Sequence, residues 1–250
     1  VKKRKVDLAL TKFITAISED IKVEDGEYLT KDKTSKDAGK ESNPYDRATK
    51  VDTVKLRDDE TCHDATCTMV KDPLTLHEGD YVLYNIRVYN EGEVDVYAGE
   101  VTDYLPNYLD FVEGEYNTKY GWTNPSKDGK TIKTTYLSKS NGEANKLKAF
   151  DKAKDDGKGS GLDYKDLSIL CKVNSNTPNG EKLVNTAAIT KYEDKDGNEI
   201  DKDEDSEPEE LPDEQKNKEK RNQDDDDYEV VQVKKRKVDL ALTKFITAIS

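Results

Sequence analysis

The sequence lacks several features that would point to common functions. No apolar run approaches the roughly 20 residues of a membrane-spanning helix, so no membrane span is predicted in this segment. Basic charge is in deficit, with 41 Lys and Arg against 54 Asp and Glu. Since nucleic-acid binding needs a net basic face, nucleic acid is not an expected partner. No Ser or Cys nucleophile stands in a recognisable catalytic motif, so the chain is not expected to be an enzyme.

Cysteine and large apolar aromatics are scarce. There are three Cys, four Phe and one Trp, against fourteen Tyr. Tyrosine suits strands whose aromatic rings keep a polar tip near the surface, which predicts a thin, sheet-like core. The odd number of cysteines does not settle the compartment. Cys62 and Cys67 are a candidate disulfide, and Cys171 is predicted to fill the core.

One long segment occurs twice. Residues 1–18 and 233–250 are identical, at an offset of 233 − 1 = 232 residues. This period is too long for a solenoid unit and fits one sandwich domain with its connector. The chain therefore predicts one repeat of a tandem array followed by the first strand of the next.

Apolar and polar residues alternate over short runs that are separated by turn signals, which predicts strands. Only residues 143–154 suggest a short helix. The predicted fold is an all-β sandwich with long loops at residues 20–60 and 112–160. The predicted strands are 6–17, 81–89, 100–105, 167–173 and 182–190.

The composition predicts three segments along the chain. The sandwich is predicted to span residues 1–192. Residues 193–232 are dominated by charged and polar residues and are predicted to be an extended acidic linker. Residues 233–250 are predicted to be the first strand of the following repeat.

Three polar residues share a face with apolar neighbours. Period-two alternation aligns Lys12 with Leu8, Leu10 and Ile14, and it aligns Asn185 and Asp103 with similar apolar neighbours. Burying an amine, an amide and a carboxyl costs several kcal/mol unless they satisfy one another, so the three are expected to meet.

An apolar site favours a neutral amine beside a protonated acid. The amine of Lys12 can then attack the side-chain carbonyl carbon of Asn185, with Asp103 polarising the oxygen and moving protons. The predicted product is a Lys–Asn isopeptide bond, formed once per molecule with release of ammonia. A structural alternative also stands, in which Lys12 reaches solvent from an edge strand, Asn185 caps a turn and Asp103 ends a strand.

Several pieces of sequence carry a family resemblance. They are Glu78-Gly79-Asp80, the run from Tyr81 to Gly92, Thr102-Asp103-Tyr104-Leu105-Pro106 and Asn185-Thr186-Ala187. In this order and spacing they resemble DUF11-type repeats and the D2-type fimbrial domains of bacterial surface proteins, over roughly residues 5–192. The resemblance implies an immunoglobulin-like sandwich, a cell-surface location, and first-strand Lys12 joined to last-strand Asn185 with Asp103 assisting. Asp7 is the second choice for the assisting acid.

A calcium site is the one cofactor that the sequence suggests. Oxygen ligands alternate around a Gly turn after residue 193, as in the opening of many calcium loops, although the later bidentate Glu of an EF-hand is out of register. A solvated acidic hinge is the alternative. The candidate ligands are Asp194, Asp196, Asn198, Asp201, Asp203 and Asp205.

Three functions remain open at this point. The first is a crosslinked stalk or spacer repeat of a secreted bacterial surface protein, with neighbouring repeats as partners. The second is an adhesin that binds a host protein or glycan through its long loops, with Tyr116, Tyr120 and Trp122 as exposed aromatics. The third is a strand-donating filament subunit, in which Lys244 of the second copy competes with Lys12 for Asn185.

Overall fold

The computed structural model describes residues 5–18, 21–24, 27–30, 47–56, 62–124, 126, 129–201, 206, 210–219, 223–236 and 240–247. Nearly all regular structure in these ranges is β. The strands are β1 (Leu8–Ser18), β2 (Ile21–Glu24), β3 (Glu27–Thr30), β4 (Lys50–Leu56), β5 (Cys62–Thr68), β6 (Leu74–Leu76), β7 (Tyr81–Asn90), β8 (Val96–Tyr104), β9 (Leu109–Phe111), β10 (Thr131–Thr134), β11 (Asp163–Val173), β12 (Lys182–Asp194), β13 (Glu199–Ile200) and β14 (Asp226–Val233). One short helix, α1, spans Glu115–Lys119.

Two sheets build the domain. The first has the order β1-β7-β11-β9, and the second has the order β10-β8-β12-β14-β6, with β13 paired to β12. All pairings within them are antiparallel except that of β14 with β6. The fold is an all-β, immunoglobulin-like sandwich, as predicted. Two separate hairpins, β2-β3 and β4-β5, form part of the region predicted to be the long loop at 20–60.

The core lies between the two sheets and draws one apolar face from each. Leu8, Leu10 and Ile14 of β1 are fully buried together with Leu183 and Ile189 of β12. The alternation that predicted these faces therefore describes the observed core. Cys171 is also fully buried in this cluster, as predicted.

The sandwich extends past the predicted boundary at residue 192. Strand β12 continues to Asp194, β13 follows it, and β14 pairs with β12 from Lys182 opposite Gln232 to Ala188 opposite Asp226. The predicted linker therefore contains a central strand of the second sheet. The prediction was wrong here because the acidic residues before Val230 hide the alternation, while Asp225, Asp226 and Asp227 are in fact buried.

One further local prediction, the short helix, was wrong, whereas the assignment of residues 233–250 to a following repeat stays a prediction. In the region predicted to form a short helix, only Glu143–Asn145 is helical, as one 3-10 turn. Val233, the first residue of the second sequence copy, is the last residue of β14. Residues 240–247 form no strand, and Leu240, Leu242, Phe245 and Ile246 are exposed. No helix in the described part of the chain has the length and apolar character to cross a membrane.

Candidate crosslinking site

Strand register brings the three predicted residues to the inner faces of the two sheets. Lys12 lies on β1 opposite Ile86 of β7. Asp103 of β8 lies opposite Ala187 of β12, which places it diagonally from Asn185 on the neighbouring strand. Diagonal neighbours lie about 7–8 Å apart and remain within reach of long side chains. All three residues are fully buried, so Lys12 does not reach solvent although β1 is an edge strand of its sheet.

The amine of Lys12 donates a hydrogen bond to Oδ2 of Asp103 across the interior. Burial raises the pKa of Asp103, while the Lys12 ammonium and the nearby Asn185 amide oppose that rise. The low-dielectric site therefore favours the neutral form of the Asp103 carboxyl.

The Asn185 amide lies beside this pair without a fixed hydrogen bond. Its Oδ1 and Nδ2, and Oδ1 of Asp103, are buried and have no partner of good geometry among the described residues. An unsatisfied buried polar group costs about 1–3 kcal/mol. This cost favours a further reaction or rearrangement of the amide over the arrangement as it stands.

The backbone of Lys12 is held by residues that the sequence did not single out. Its N–H donates to Oδ2 of Asp227 at 2.7 Å, and its C=O accepts from Nζ of Lys71 at 2.8 Å. Lys71 also donates to Oδ2 of Asp227 at 2.9 Å. These contacts replace a neighbouring strand at the free edge of β1 and fix the position from which the Lys12 side chain extends. We call Lys71 and Asp227 the β1 clamp.

Two more buried groups line the same region. The ring of Tyr84 lies 4.9 Å from Nζ of Lys12, a distance typical of cation–π contact. Glu229 is fully buried on β14, directly opposite Asn185. Burial raises the pKa of Glu229 to about 7, against the opposing effects of Lys71 and Arg47. The signal for Glu229 in the sequence is its alternation with Val231, which the surrounding acidic run obscured.

The other residues considered for the crosslink lie elsewhere. Asp7 is buried, but its C=O accepts from the N–H of Glu91 at the far end of β7. It precedes Lys12 by five residues on an extended chain, about 16 Å, and is therefore not the assisting acid. Lys244 is exposed.

The predicted disulfide between Cys62 and Cys67 does not fit the backbone. Both residues belong to strand β5, five residues apart. Extended chain separates their Cα atoms by about 16 Å, whereas a disulfide needs less than about 7 Å. The prediction assumed a hairpin turn between them, whereas both residues lie on one strand.

The candidate calcium ligands that are described form a hairpin turn. Oδ1 of Asp194 accepts from the N–H of Asp196 at 2.8 Å and from that of Asn198 at 2.9 Å, in the turn between β12 and β13. Asp201 follows that turn, and Asp203 and Asp205 lie outside the described residues. Across the residues that the structure does describe, no group of three or more His, Cys, Asp or Glu could hold a metal ion. Calcium binding stays a prediction.

The aromatic residues proposed for ligand binding are mostly internal. Trp122 is 5% exposed, and its Nε1 donates to the C=O of Ser168 at 2.7 Å. Tyr116 and Tyr120 are half-buried and contact each other, with ring centroids 6.1 Å apart. Trp122 is thus not the exposed aromatic that the adhesin hypothesis required.

Comparisons with known proteins give only distant structural likeness. No protein-family model matches the chain, and no curated protein matches it. The chain is similar to the major pilin subunit BcpA of Bacillus cereus, at 15% identity and a TM-score of 0.31, over 72% of this chain and 46% of that one. It is similar to the pilus backbone RrgB of Streptococcus pneumoniae, at 13% identity and a TM-score of 0.29, over 58% of this chain and 32% of that one.

A third similar structure is the collagen-binding domain of a Staphylococcus aureus adhesin, at 10% identity and a TM-score of 0.23, over 62% of this chain and 87% of that one. The chain spans less than half the length of the two pilins. At these scores the likeness adds nothing to the assignment of function, which depends on the buried side chains of this chain. Membership of the DUF11-type or D2-type families stays a prediction.

Proposed function

We propose that this chain is a structural spacer module of a secreted bacterial surface protein or filament, stabilised by an isopeptide bond between Lys12 and Asn185. The observation that carries the proposal is the fully buried ion pair of Lys12 and Asp103, beside a buried Asn185 amide that interacts with the Asp103 carboxyl but makes no hydrogen bond of good geometry among the described residues. A buried ion pair contributes little to stability by itself. Its retention beside a buried amide favours a chemical role.

The proposed reaction balances in atoms and charge. Nζ of Lys12 forms a bond to Cγ of Asn185, and the bond from Cγ to Nδ2 breaks. Of the three protons on the Lys12 ammonium, one stays on the new amide, one ends on Asp103 and one leaves with ammonia. The positive charge of Lys12 and the negative charge of Asp103 disappear together, which removes two buried charges from an apolar interior.

The reaction uses up its own residues, so it runs once per molecule and is not enzymatic turnover. The bond would close a loop of 185 − 12 = 173 residues. By analogy with a disulfide, this closure removes unfolded-state entropy on the order of 5 kcal/mol. Such a gain suits a protein that stays folded outside the cell.

The test is the intact mass of the purified, reduced, full chain. We expect a mass lower than that calculated from the sequence by one ammonia. Lys12→Arg and Asn185→Ala are each expected to restore the mass calculated for the variant. Lys244→Arg is the matched control, because Lys244 has the same local sequence but is exposed, and it should keep the deficit. Folded parent protein with its full calculated mass would refute the crosslink.

One observation favours a second candidate, strand donation between molecules. Residues 240–247 repeat a segment of β1, yet Leu240 and Leu242 are exposed where Leu8 and Leu10 are fully buried. A second molecule could therefore take this segment in place of its own β1, with Lys244 as the attacking amine. This candidate predicts covalent dimers and longer species under denaturing conditions, which Lys244→Arg abolishes and Lys12→Arg does not.

A further inference from the structure

The two copies of the repeated segment attach at opposite ends of the sandwich. Strand β1 begins at Leu8, opposite Asn90, the last residue of β7. Strand β14 ends at Val233, whose N–H donates to the C=O of Glu181 and whose C=O accepts from the N–H of Gly180. Gly79, just before β7, bonds to Val173 at that same end. A chain of such modules therefore enters at one end of each sandwich and leaves at the other.

At the end where β14 finishes, the residues that follow are bound to the module. The N–H of Lys234 donates to the C=O of Leu76 at 2.8 Å, and the N–H of Lys235 donates to Oδ1 of Asn179 at 2.9 Å. Nη2 of Arg236 donates to Oδ1 of Asp80 at 3.0 Å, and the Asp80 carboxyl is itself buried. We call the surface formed by Leu76–Asp80 and Asn179 the β14 end.

At the opposite end, the residues before β1 are bound in a similar way. The N–H of Glu93 donates to the C=O of Lys5, and the N–H of Glu91 donates to that of Asp7, both at 2.9 Å. A Cβ on Gly92 would lie 2.8 Å from the backbone N of Asp7, so this contact requires glycine. We call the turn formed by residues 91–93 the β1 end.

The repeat leaves no residue between these two sets of contacts. At the offset of 232, Lys5 corresponds to Lys237 and Asp7 to Asp239. The β14 end binds residues 234–236, and the β1 end of a following module would bind residues 237–239. Arg236 and Lys237 are consecutive, and their Cα atoms can be only about 3.8 Å apart.

We propose that successive modules meet in direct contact, with the β14 end of one against the β1 end of the next copy and the six residues 234–239 forming a rigid joint. The inference rests on the tandem arrangement in the proposed function. A six-residue connector that is bound along its whole length has no flexible portion. It would hold the long axes of neighbouring sandwiches at one fixed angle, unlike the extended acidic linker predicted from composition.

The test uses a two-module protein in which residues 1–232 precede the full 250-residue chain. Single-molecule energy transfer between one dye on each module reports the distribution of module–module distances. The parent is expected to give one narrow distribution. Insertion of six Gly and Ser residues between Arg236 and Lys237 of the joint should broaden it and shift its mean. A parent distribution as broad as that of the insertion variant would overturn the joint.

Two substitutions at the joint refine this test. Arg236→Ala removes the contact with Asp80 and is expected to broaden the distribution. Lys235→Ala removes the same charge but keeps the backbone contact with Asn179, and it should leave the distribution narrow. Equal widths for these two variants would refute the role of Arg236. The intact mass of the same protein reports the crosslink separately, as a deficit of one ammonia per module, so either proposal can fail alone.

Discussion

At Lys12 a charged side chain is fully buried with one carboxyl, Asp103, as its hydrogen-bonded partner. Removing one member of a buried ion pair leaves the other charge buried without a partner, whereas replacing both with apolar residues often leaves the stability unchanged. The pair therefore makes a test of stability that is independent of the crosslink, provided that the Asn185 amide is absent.

In an Asn185→Ala background, Asp103→Leu is expected to lower the free energy of unfolding by about 3–5 kcal/mol, because the Lys12 ammonium loses its partner. Adding Lys12→Met should recover most of that loss. Urea unfolding of the three proteins measures both changes. If Asp103→Leu alone and Asp103→Leu with Lys12→Met were equally stable in this background, the unpaired Lys12 charge would not be the cause of the loss in stability.

Glu229 predicts a pH dependence of stability. Its pKa is about 7 in the folded protein, against an ordinary value of 4.5, chiefly because it is buried. Between pH 4.5 and pH 7, Glu229 therefore keeps its proton in the folded state and loses it in the unfolded state. The resulting stabilisation of the folded state is fully present below pH 4.5 and is lost as the pH rises through 7. The groups facing it are Lys71 and Arg47, which favour the carboxylate, and Asp227, which disfavours it.

We expect Glu229→Gln to remove this loss. From pH 5 to pH 8, the free energy of unfolding of the parent should fall by about 2–3 kcal/mol more than that of the variant. Chemical unfolding of both proteins at the two pH values gives the difference. Parallel pH profiles would contradict the assignment of this slope to Glu229.

At the scale of elements, the two sheets are joined where β14 passes the free edge of β1. The β1 clamp supplies the N–H and C=O partners of Lys12, and the N–H of Leu10 donates to the C=O of Asp224 at 2.7 Å. Because side-chain hydrogen bonds take the place of strand pairing here, a single substitution can weaken the contact between the two sheets.

Lys71→Met is expected to lower the free energy of unfolding by about 1–3 kcal/mol, since it leaves the Lys12 C=O without its donor and removes one of the two donors to Oδ2 of Asp227. Lys154→Met is the matched control, because Lys154 is exposed and a surface ion pair such as that with Asp151 contributes little to stability. Thermal unfolding of the two variants tests the contrast. Similar losses in both would argue against the clamp.

The turn at the β1 end offers a backbone test. Gly92→Ala places a methyl group against the backbone of Asp7 and Lys5 and is expected to cost about 1–3 kcal/mol. Gly99→Ala meets the flexible side chain of Glu193 at a similar distance and should cost much less. Calorimetric unfolding compares the two, and an equal cost would mean that the start of β1 can move without penalty.

The elements that the sequence predicted well are those whose alternation is apolar. Strands β1, β7, β8, β11 and β12 were found within a few residues of their bounds, and Lys12, Asp103 and Asn185 were placed on inner faces. Strand β14 was missed because its first half is acidic. Its buried charges depend on Lys71, Arg47 and Tyr192, partners far away in sequence that no local pattern reveals.

At the scale of the whole molecule, the position of the proposed Lys12–Asn185 bond would decide how the module bears tension. Strand β12 was expected to be the last strand, which would have enclosed the whole sandwich between Lys12 and Asn185. Strand β14 follows it instead and leads to the next copy. In the proposed crosslinked module, tension would pass from β1 through the bond to Asn185 and then along residues 186–233, so only residues 13–184 would be shielded.

Force spectroscopy on the two-module protein checks this prediction. A crosslinked module is expected to release at most (12 − 8) + (233 − 185) = 52 residues, about 170–190 Å of extended chain, because the start of β1 also lies in the path of the force. Lys12→Arg should release nearly the whole module, several times that length. Long releases in protein with a confirmed ammonia deficit would place the bond elsewhere.

Strand β14 pairs in parallel with β6 and antiparallel with β12, and this pairing determines how the strand responds to force. Pulling on Val233 while Asn185 is held slides β14 along its own axis, and the hydrogen bonds to its neighbours, which run across that axis, are strained together and not one by one. Such a strand detaches only under high force and can pair again with β12 and β6 when the force falls. Each module would thus behave as a stiff rod with one resettable extension, which absorbs sudden pulls while every covalent bond remains intact.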